Sequence, residues 1–450
     1  MITDMTSGHP NKILWQFALP MLLSTVFQQI YNIADSIIAG RFIDENALAA
    51  IGASYPITML FMAIALGCNI GCSVIISQLF GAQKYAEMKT AIFTALIAFG
   101  VLSLFLMGIG LIFSSPMLHL LNTPFNIFEA SGIYLRIYVL GMFFLFLYNI
   151  STGIFMALGD SRTPLYFLIA SSLGNIVLDI VFVVYLKAGI AGIAWATFLA
   201  QGIASLLAFI TLMKRLKKVK TPDRLALFSL PLLKKILRIA IPSILQQSFI
   251  SIGNLLIQGL INSYGAAIIA GYASAMKLNT FAITAFTTLG NSLSSFTAQN
   301  IGAKQINRIK EGYRAGLQIG FVIILPFFIG YFFFKTYMIS LFMEAPTPIA
   351  LETGQQFLTI VAPFYFVVAV KLVTDGILRG IGAMKPFMIA TFSDLILRVF
   401  LSYVLAHFMG PLGIWLSWPI GWTIGTSLSV LFYRRSSTQN FRSASLQHTL

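Results

Sequence analysis

Twelve apolar stretches decide what this chain can fold into. They fall at roughly 13–39, 47–79, 88–113, 127–156, 164–186, 189–213, 234–262, 267–299, 312–334, 348–377, 386–408 and 411–433. About 20 apolar residues carry a helix across the hydrocarbon core of a bilayer, so each stretch suffices for one crossing. In lipid no water pairs with backbone N–H and C=O groups, which restricts spanning structures to helices and closed barrels. The stretches hold many interior glycines and lack β-branched runs with period-2 alternation, which excludes a porin-like barrel. Composition agrees: 58% of residues are hydrophobic, 10% are charged, and the mean hydropathy is +0.87. No water-soluble domain of 450 residues tolerates that balance.

The stretches also repeat. Residues 12–214 and 234–435 share landmarks at an offset of 221–222: Pro20 with Pro242, Gln78 with Gln299, Pro164 with Pro386, Gly189 with Gly410 and Gly192 with Gly413. One register held over a whole half argues for duplication. Each half has an even number of spans, so both insert in the same orientation, related by a pseudo-two-fold axis along the membrane normal. The expected fold class is an all-α polytopic membrane protein: 12 transmembrane helices as two six-helix bundles. The expected domains are an N-terminal lobe (1–213), a basic cytoplasmic linker (214–233), a C-terminal lobe (234–435) and a cytoplasmic tail (436–450).

A net charge of +15 invites a nucleic-acid partner, but its distribution excludes one. Of 29 Lys and Arg, 22 lie before the first span, after the last, or in alternate connections; only Arg41, Lys187 and Lys335 lie in the opposite set. This positive-inside asymmetry places both termini in the cytoplasm. The longest basic run, "KRLKKVKTPDR" at 214–224, joins the halves as a topogenic, lipid-facing segment. The predicted location is the cell (inner) membrane, with the bilayer and a small organic substrate as partners and a monomer as the unit.

Cys68 and Cys72 lie four apart in one span and form no disulfide framework; with four scattered His there is no metal-ligand cluster. A membrane-embedded enzyme would need an Asp-rich diphosphate motif, a zinc motif or a Ser/His pair at depth. His119 and His407, near span ends, have no such companions. No enzyme activity and no cofactor are expected.

Ionisable residues at membrane depth are costly and therefore informative. Asp394 and Arg398 are four apart on one helical face, as are Asp375 and Arg379, so both pairs read as structural ion pairs. Lys371 stands close enough to the same end to snorkel. Asp35 and Asp179 have no cation within one turn, and Asn175 precedes Asp179 by four. At about 1.5 Å per residue, Asp35, Asp179 and Thr197 lie roughly 7–12 Å below the outer surface, with Asn175 a turn deeper. Carboxylate, amide and hydroxyl oxygens at similar depth suit a hard cation. Desolvated carboxylates would bind a proton instead. Pro20, near the start of span 1, removes a backbone hydrogen bond and is a candidate hinge.

The strings "LPMLLSTVFQQIYNIADSIIAG" (19–40), "SQLFGA", "ALGDSRTPLYFLIASSLGNIVLDIVF" (157–182) and "AGIAGIAWATFLAQ" (188–201) resemble the multidrug and toxic compound extrusion (MATE) family. "AQNIGA" and "LRGIGAMKP" carry the likeness through the second half. The resemblance implies two lobes around a central cavity that alternate access, exporting amphipathic, cationic compounds against inward Na⁺ or H⁺. In the DinF-like branch the coupling residues occupy the N-terminal lobe. Asp35, Asn175, Asp179 and Thr197 stand at those motif positions, and Pro20 at the proline linked to bending. The NorM-like branch has a Glu in span 7, whereas 243–262 here holds no acid; Asp375 stands too close to "LRG" to be equated with that branch's span 10 Asp. At the repeat offset Asp35 falls on Leu256 or Ile257, and Asp179 on Phe400 or Leu401. Ion chemistry is thus expected in the first half only. A lipid-linked oligosaccharide flippase is the alternative: Arg136, Lys277, Lys371 and Arg398 would attract a pyrophosphate, but the acids argue against it.

Overall fold

The computed structural model describes residues 3–43, 45–221, 225–343 and 347–447, without the side chains of 31–37, 39–42, 45, 48 and 437–447. All twelve apolar stretches are helical, and no strand occurs among the described residues. The first half contains α1 (Pro10–Phe42), α2 (Glu45–Gly81), α3 (Tyr85–Leu120), α4 (Phe125–Leu140), α5 (Met142–Ala157), α6 (Arg162–Asp179) and α7 (Gly189–Lys218). The second contains α8 (Leu230–Asn262), α9 (Ala266–Gly302), α10 (Ile306–Phe333), the short α11 (Lys335–Ser340), α12 (Pro348–Val361), α13 (Tyr365–Gly380), α14 (Met384–Met409) and α15 (Pro411–Gln447).

Two spans are broken at mid-length. Helices α4 and α5 meet at Gly141 with a bend of 47°. Helices α12 and α13 are joined by a 3₁₀ turn, Ala362–Phe364, containing Pro363. Gly141 and Pro363 are repeat-related at an offset of 222. One half breaks its fourth span with a residue of low helix propensity, the other with one that lacks a backbone donor.

The chain forms two compact units. Unit 1 comprises Met1–Asp4 and Leu19–Ser248; unit 2 comprises Met5–Ala18 and Phe249–Leu450. The first helix of each repeat therefore begins in one unit and ends in the other. Within unit 1, the start of α8 lies against α2 at Gly67 and Gly71. A β-carbon at Gly71 would lie 2.6 Å from Ala240 Cβ, and one at Gly67 only 2.5 Å from Ile244 N. Small residues are what permit such approach between membrane helices. The segment before α8 is tied down as well: Lys89 Nζ donates to Val219 O (2.6 Å) and Ser229 N donates to Thr94 Oγ1 (3.0 Å).

Within unit 2, the leader of α1 is held in the same fashion. Met5 is fully buried, and its N–H donates to Gln299 Oε1 at 2.9 Å. Arg308 on α10 donates to Gly8 O (2.7 Å), Met5 O (3.2 Å) and Asn300 Oδ1 (3.0 Å). The changeover in α1 follows Ala18, beside buried Pro20. Just beyond it, the Ser24 and Thr25 hydroxyls donate to the Pro20 and Met21 carbonyls at 2.9 and 3.2 Å. Such back-bonding, next to a position with no N–H, is a recognised cause of helix bending. In α8 the changeover comes six residues after Pro242.

Candidate functional site

The site in unit 1 is built on α6 and α7, which are locked together at one end. Asp160 is buried and accepts the N–H groups of Arg162 (3.2 Å) and Thr163 (3.1 Å) and the Thr163 hydroxyl (2.8 Å), capping α6. Arg215, near the end of α7, pairs with Asp160 and donates to Thr163 Oγ1 at 2.7 Å. Free N–H groups at a helix start need such partners, and here one carboxylate serves the cap and the neighbouring helix together.

Further along α6, Asn175 and Asp179 are one turn apart and only 2% and 0% exposed. Asn175 Nδ2 donates to Thr197 Oγ1 on α7 across a long 3.5 Å, while that hydroxyl donates to Ile193 O at 3.0 Å. Asp179 is the last residue of α6 before a π-helical turn, Ile180–Tyr185. A π-turn inserts one extra residue and redirects the side chains around it, which is why it recurs at functional sites. Asp35 lies on α1, and its side chain is outside the described residues. Ile38, three residues on, packs with Val183 and Ile193. Those two stand four residues from Asp179 and Thr197 respectively, so α1, α6 and α7 converge at this level. Pro20 lies inside α1 some four turns away.

Thr197 also forms part of a pocket between α4 and α7, with Tyr134, Tyr138, Phe198 and Gln201. Sequence reasoning missed these neighbours. The available signal was a pair of tyrosines four apart in an apolar span, which share one helical face; their rings stack at 6.5 Å. The donors grouped here are carboxylate, amide and hydroxyl oxygens, a set that accepts a proton or a hard monovalent cation.

Unit 2 overturns the charge pairing expected from spacing. Lys371 does not snorkel: it is 3% exposed and donates to Asp375 Oδ2 at 2.7 Å, with Asp394 Oδ2 3.9 Å away. Four-residue spacing permits Asp394–Arg398 and Asp375–Arg379 pairs, but neighbouring helices claim both arginines. The Arg398 guanidinium lies 4.4 Å from the Trp418 ring centroid on α15, a cation–π contact. Arg379 donates to Asn291 Oδ1 on α9 at 3.0 Å and lies over Phe387.

The family model described as MatE matches residues 20–181 and again 242–404. The chain belongs to the MatE family. The two matches open on Pro20 and Pro242, so the family's own unit coincides with the internal duplication. Among curated relatives of this MatE chain, "Probable multidrug resistance protein YpnP" of Bacillus subtilis (strain 168) is 30% identical over 438 residues, covering 96% of each chain. "Probable multidrug resistance protein YoeA" of the same organism is 28% identical, over 93% of this chain and 92% of that one. A solved outward-facing multidrug resistance MATE family transporter superposes with a TM-score of 0.91 at 23% identity, over 98% of this chain and 99% of that one. The MatE chain is accordingly a multi-pass membrane transporter and not an enzyme, with the 12-helix fold of its neighbours.

Proposed function

We propose that this MatE protein is a secondary antiporter that exports amphipathic, cationic small molecules across the cell membrane in exchange for H⁺ or Na⁺. The observation that carries the reading is the burial of Asp179, with Asn175 and Thr197 beside it, on helices that converge with the one bearing Asp35. A carboxylate withdrawn from water is stabilised by capturing a proton or a cation. Capture at Asp35 and Asp179 favours one arrangement of the lobes 1–213 and 234–435 and releases substrate. Emptying the site lets substrate reload. Each inward charge contributes about 2.3 kcal/mol per 100 mV, so one ion per cycle sustains a substrate gradient. The linker 214–233 and the tail 436–450 lie on the cytoplasmic side, and the monomer is the working unit. Pro20, beside the changeover in α1, supplies the bend.

Efflux from proteoliposomes tests this, with a Na⁺ gradient or a pH gradient imposed separately, for wild type and Asp35→Asn. Wild type should respond to one gradient and the variant to neither. Equal wild-type transport with no gradient would remove the antiport reading, and gradient-driven efflux by the variant would remove Asp35 from it.

A further inference from the structure

Unit 2 holds a buried charged cluster that the reading above does not use. Asp375 on α13 has both carboxylate oxygens engaged: Oδ2 accepts from Lys371 Nζ at 2.7 Å, and Oδ1 accepts from Ser429 Oγ on α15 at 2.6 Å. Asp394 on α14 is held differently. It is 5% exposed, its Oδ2 has Lys371 at 3.9 Å, and its Oδ1 is buried with no hydrogen-bond partner among the described residues. One lysine thus stands between two carboxylates and is committed to one of them.

We infer that Asp394, with Lys371 and Asp375, forms a second proton-binding site, located in unit 2. The inference deepens the ion-coupled reading of the proposed function and rests on it. Burial and the orphaned Oδ1 favour a neutral Asp394, because an ionised carboxylate without its hydrogen bonds loses most of its solvation. Lys371 and Arg398 favour the ionised form. Of the other groups packed around Asp394, Arg379 is committed to Asn291 and Phe387, and Arg398 to the Trp418 face. When Asp394 carries the proton, Lys371 serves Asp375 alone, the arrangement observed. When the proton leaves to water, Lys371 swings the short distance to Asp394, and Asp375 keeps Ser429. The exchange alters the contact between α13 and α14 in one step.

Two observations favour a proton over a metal cation as the ligand. Lys371, Arg379 and Arg398 surround the carboxylates with more positive charge than they carry, whereas Na⁺ requires an oxygen-rich, electronegative site. The cluster is also closely packed: a β-carbon at Gly421 would lie 2.7 Å from Asp394 Oδ1, and one at Gly425 would lie 2.8 Å from both Asp394 Cβ and Lys371 Cε. A proton occupies no volume.

Infrared difference spectra of the full-length protein in proteoliposomes, recorded across a pH titration, report carboxyl protonation without requiring transport. The measurement is made in an Asp35→Asn/Asp179→Asn background, which removes the two carboxylates of the proposed coupling site, so it stands or falls independently of efflux. Among the carboxyl bands that titrate in that background, one should vanish when Asp394→Asn is added. An unchanged set of bands after Asp394→Asn overturns the site. Lys371→Gln provides the second variant, decisive by itself if Asp394→Asn does not fold. Removing the competing cation should shift the band's midpoint upward by about one pH unit or more. An unmoved midpoint would overturn the sharing of Lys371.

Discussion

The Asp160–Arg215 lock offers the sharpest structural test, because it sits at the root of both helices that carry the unit 1 site. Asp160→Ala removes the acceptor for two backbone N–H groups and the Thr163 hydroxyl, and leaves Arg215 without its carboxylate. Loss of a helix cap costs about 1 kcal/mol. Breaking a buried ion pair from one side costs about 3–5 kcal/mol. The Arg215 side chain left unpaired is 26% exposed, so water recovers part of the second amount. A net loss of about 3 kcal/mol follows. In a unit of roughly 150–250 residues each kcal/mol lowers Tm by about 2–4 °C, so a fall of about 6–12 °C is expected.

The chain provides its own reporter for this experiment. Cys68 and Cys72, its two cysteines, are both fully buried on α2 of the same unit. A thiol-reactive fluorophore therefore stays dark until unit 1 opens. Melting detergent-solubilised protein at one fixed scan rate gives comparable midpoints even though unfolding is irreversible. Asp160→Asn keeps an oxygen for the cap and loses the charge, so its shift should be about half as large. In the Asp160→Ala/Arg215→Ala double variant the loss should be smaller than the sum of the singles, since both remove one shared interaction. A shift under about 2 °C for Asp160→Ala, or strict additivity in the cycle, would refute the reasoning.

Three further outcomes are expected. Gly71→Val should destabilise by about 1–3 kcal/mol through overpacking against Ala240, whereas Gly52→Val, whose added carbon meets no atom within 4 Å beyond its chain neighbours and its own helix backbone, should not move the same melt. Arg308→Ala should raise hydrogen exchange at the Met5 amide about tenfold, since charged hydrogen bonds to the leader are lost; an unchanged rate contradicts the clasp. Asp179→Asn should abolish gradient-driven efflux while leaving the thiol melt within a few degrees of wild type, and a coupled variant would exclude Asp179 from ion capture.

Lipid made most of the fold legible from sequence. Because helices must satisfy their backbones internally, apolar run length marked each span, and the duplication reached even the breaks at Gly141 and Pro363. The shared face of Asn175 and Asp179, at a depth close to that of Thr197, was readable from helical period and span position. What escaped is tertiary. Spacing paired Asp394 with Arg398, but Trp418 comes from another helix and no local rule announces it. The π-turn after Asp179 depends on how Ile180–Tyr185 packs, as does the pocket formed by Tyr134 and Tyr138. The division of α1 and α8 between units was equally hidden, since its contacts join residues hundreds of positions apart.

That division sets a timetable for biosynthesis. Met5 leaves the ribosome well before its hydrogen-bond partner Gln299, which is 294 residues downstream. At about 5–20 residues per second the leader waits roughly 15–60 s before the surface that buries it exists. Unit 1 likewise stays incomplete until the start of α8 has been made, well past the end of its own repeat. A chain truncated between the two repeats would therefore leave one unit short of its eighth helix and the leader of α1 without a home. Duplication created two similar halves, but each compact unit now draws residues from both.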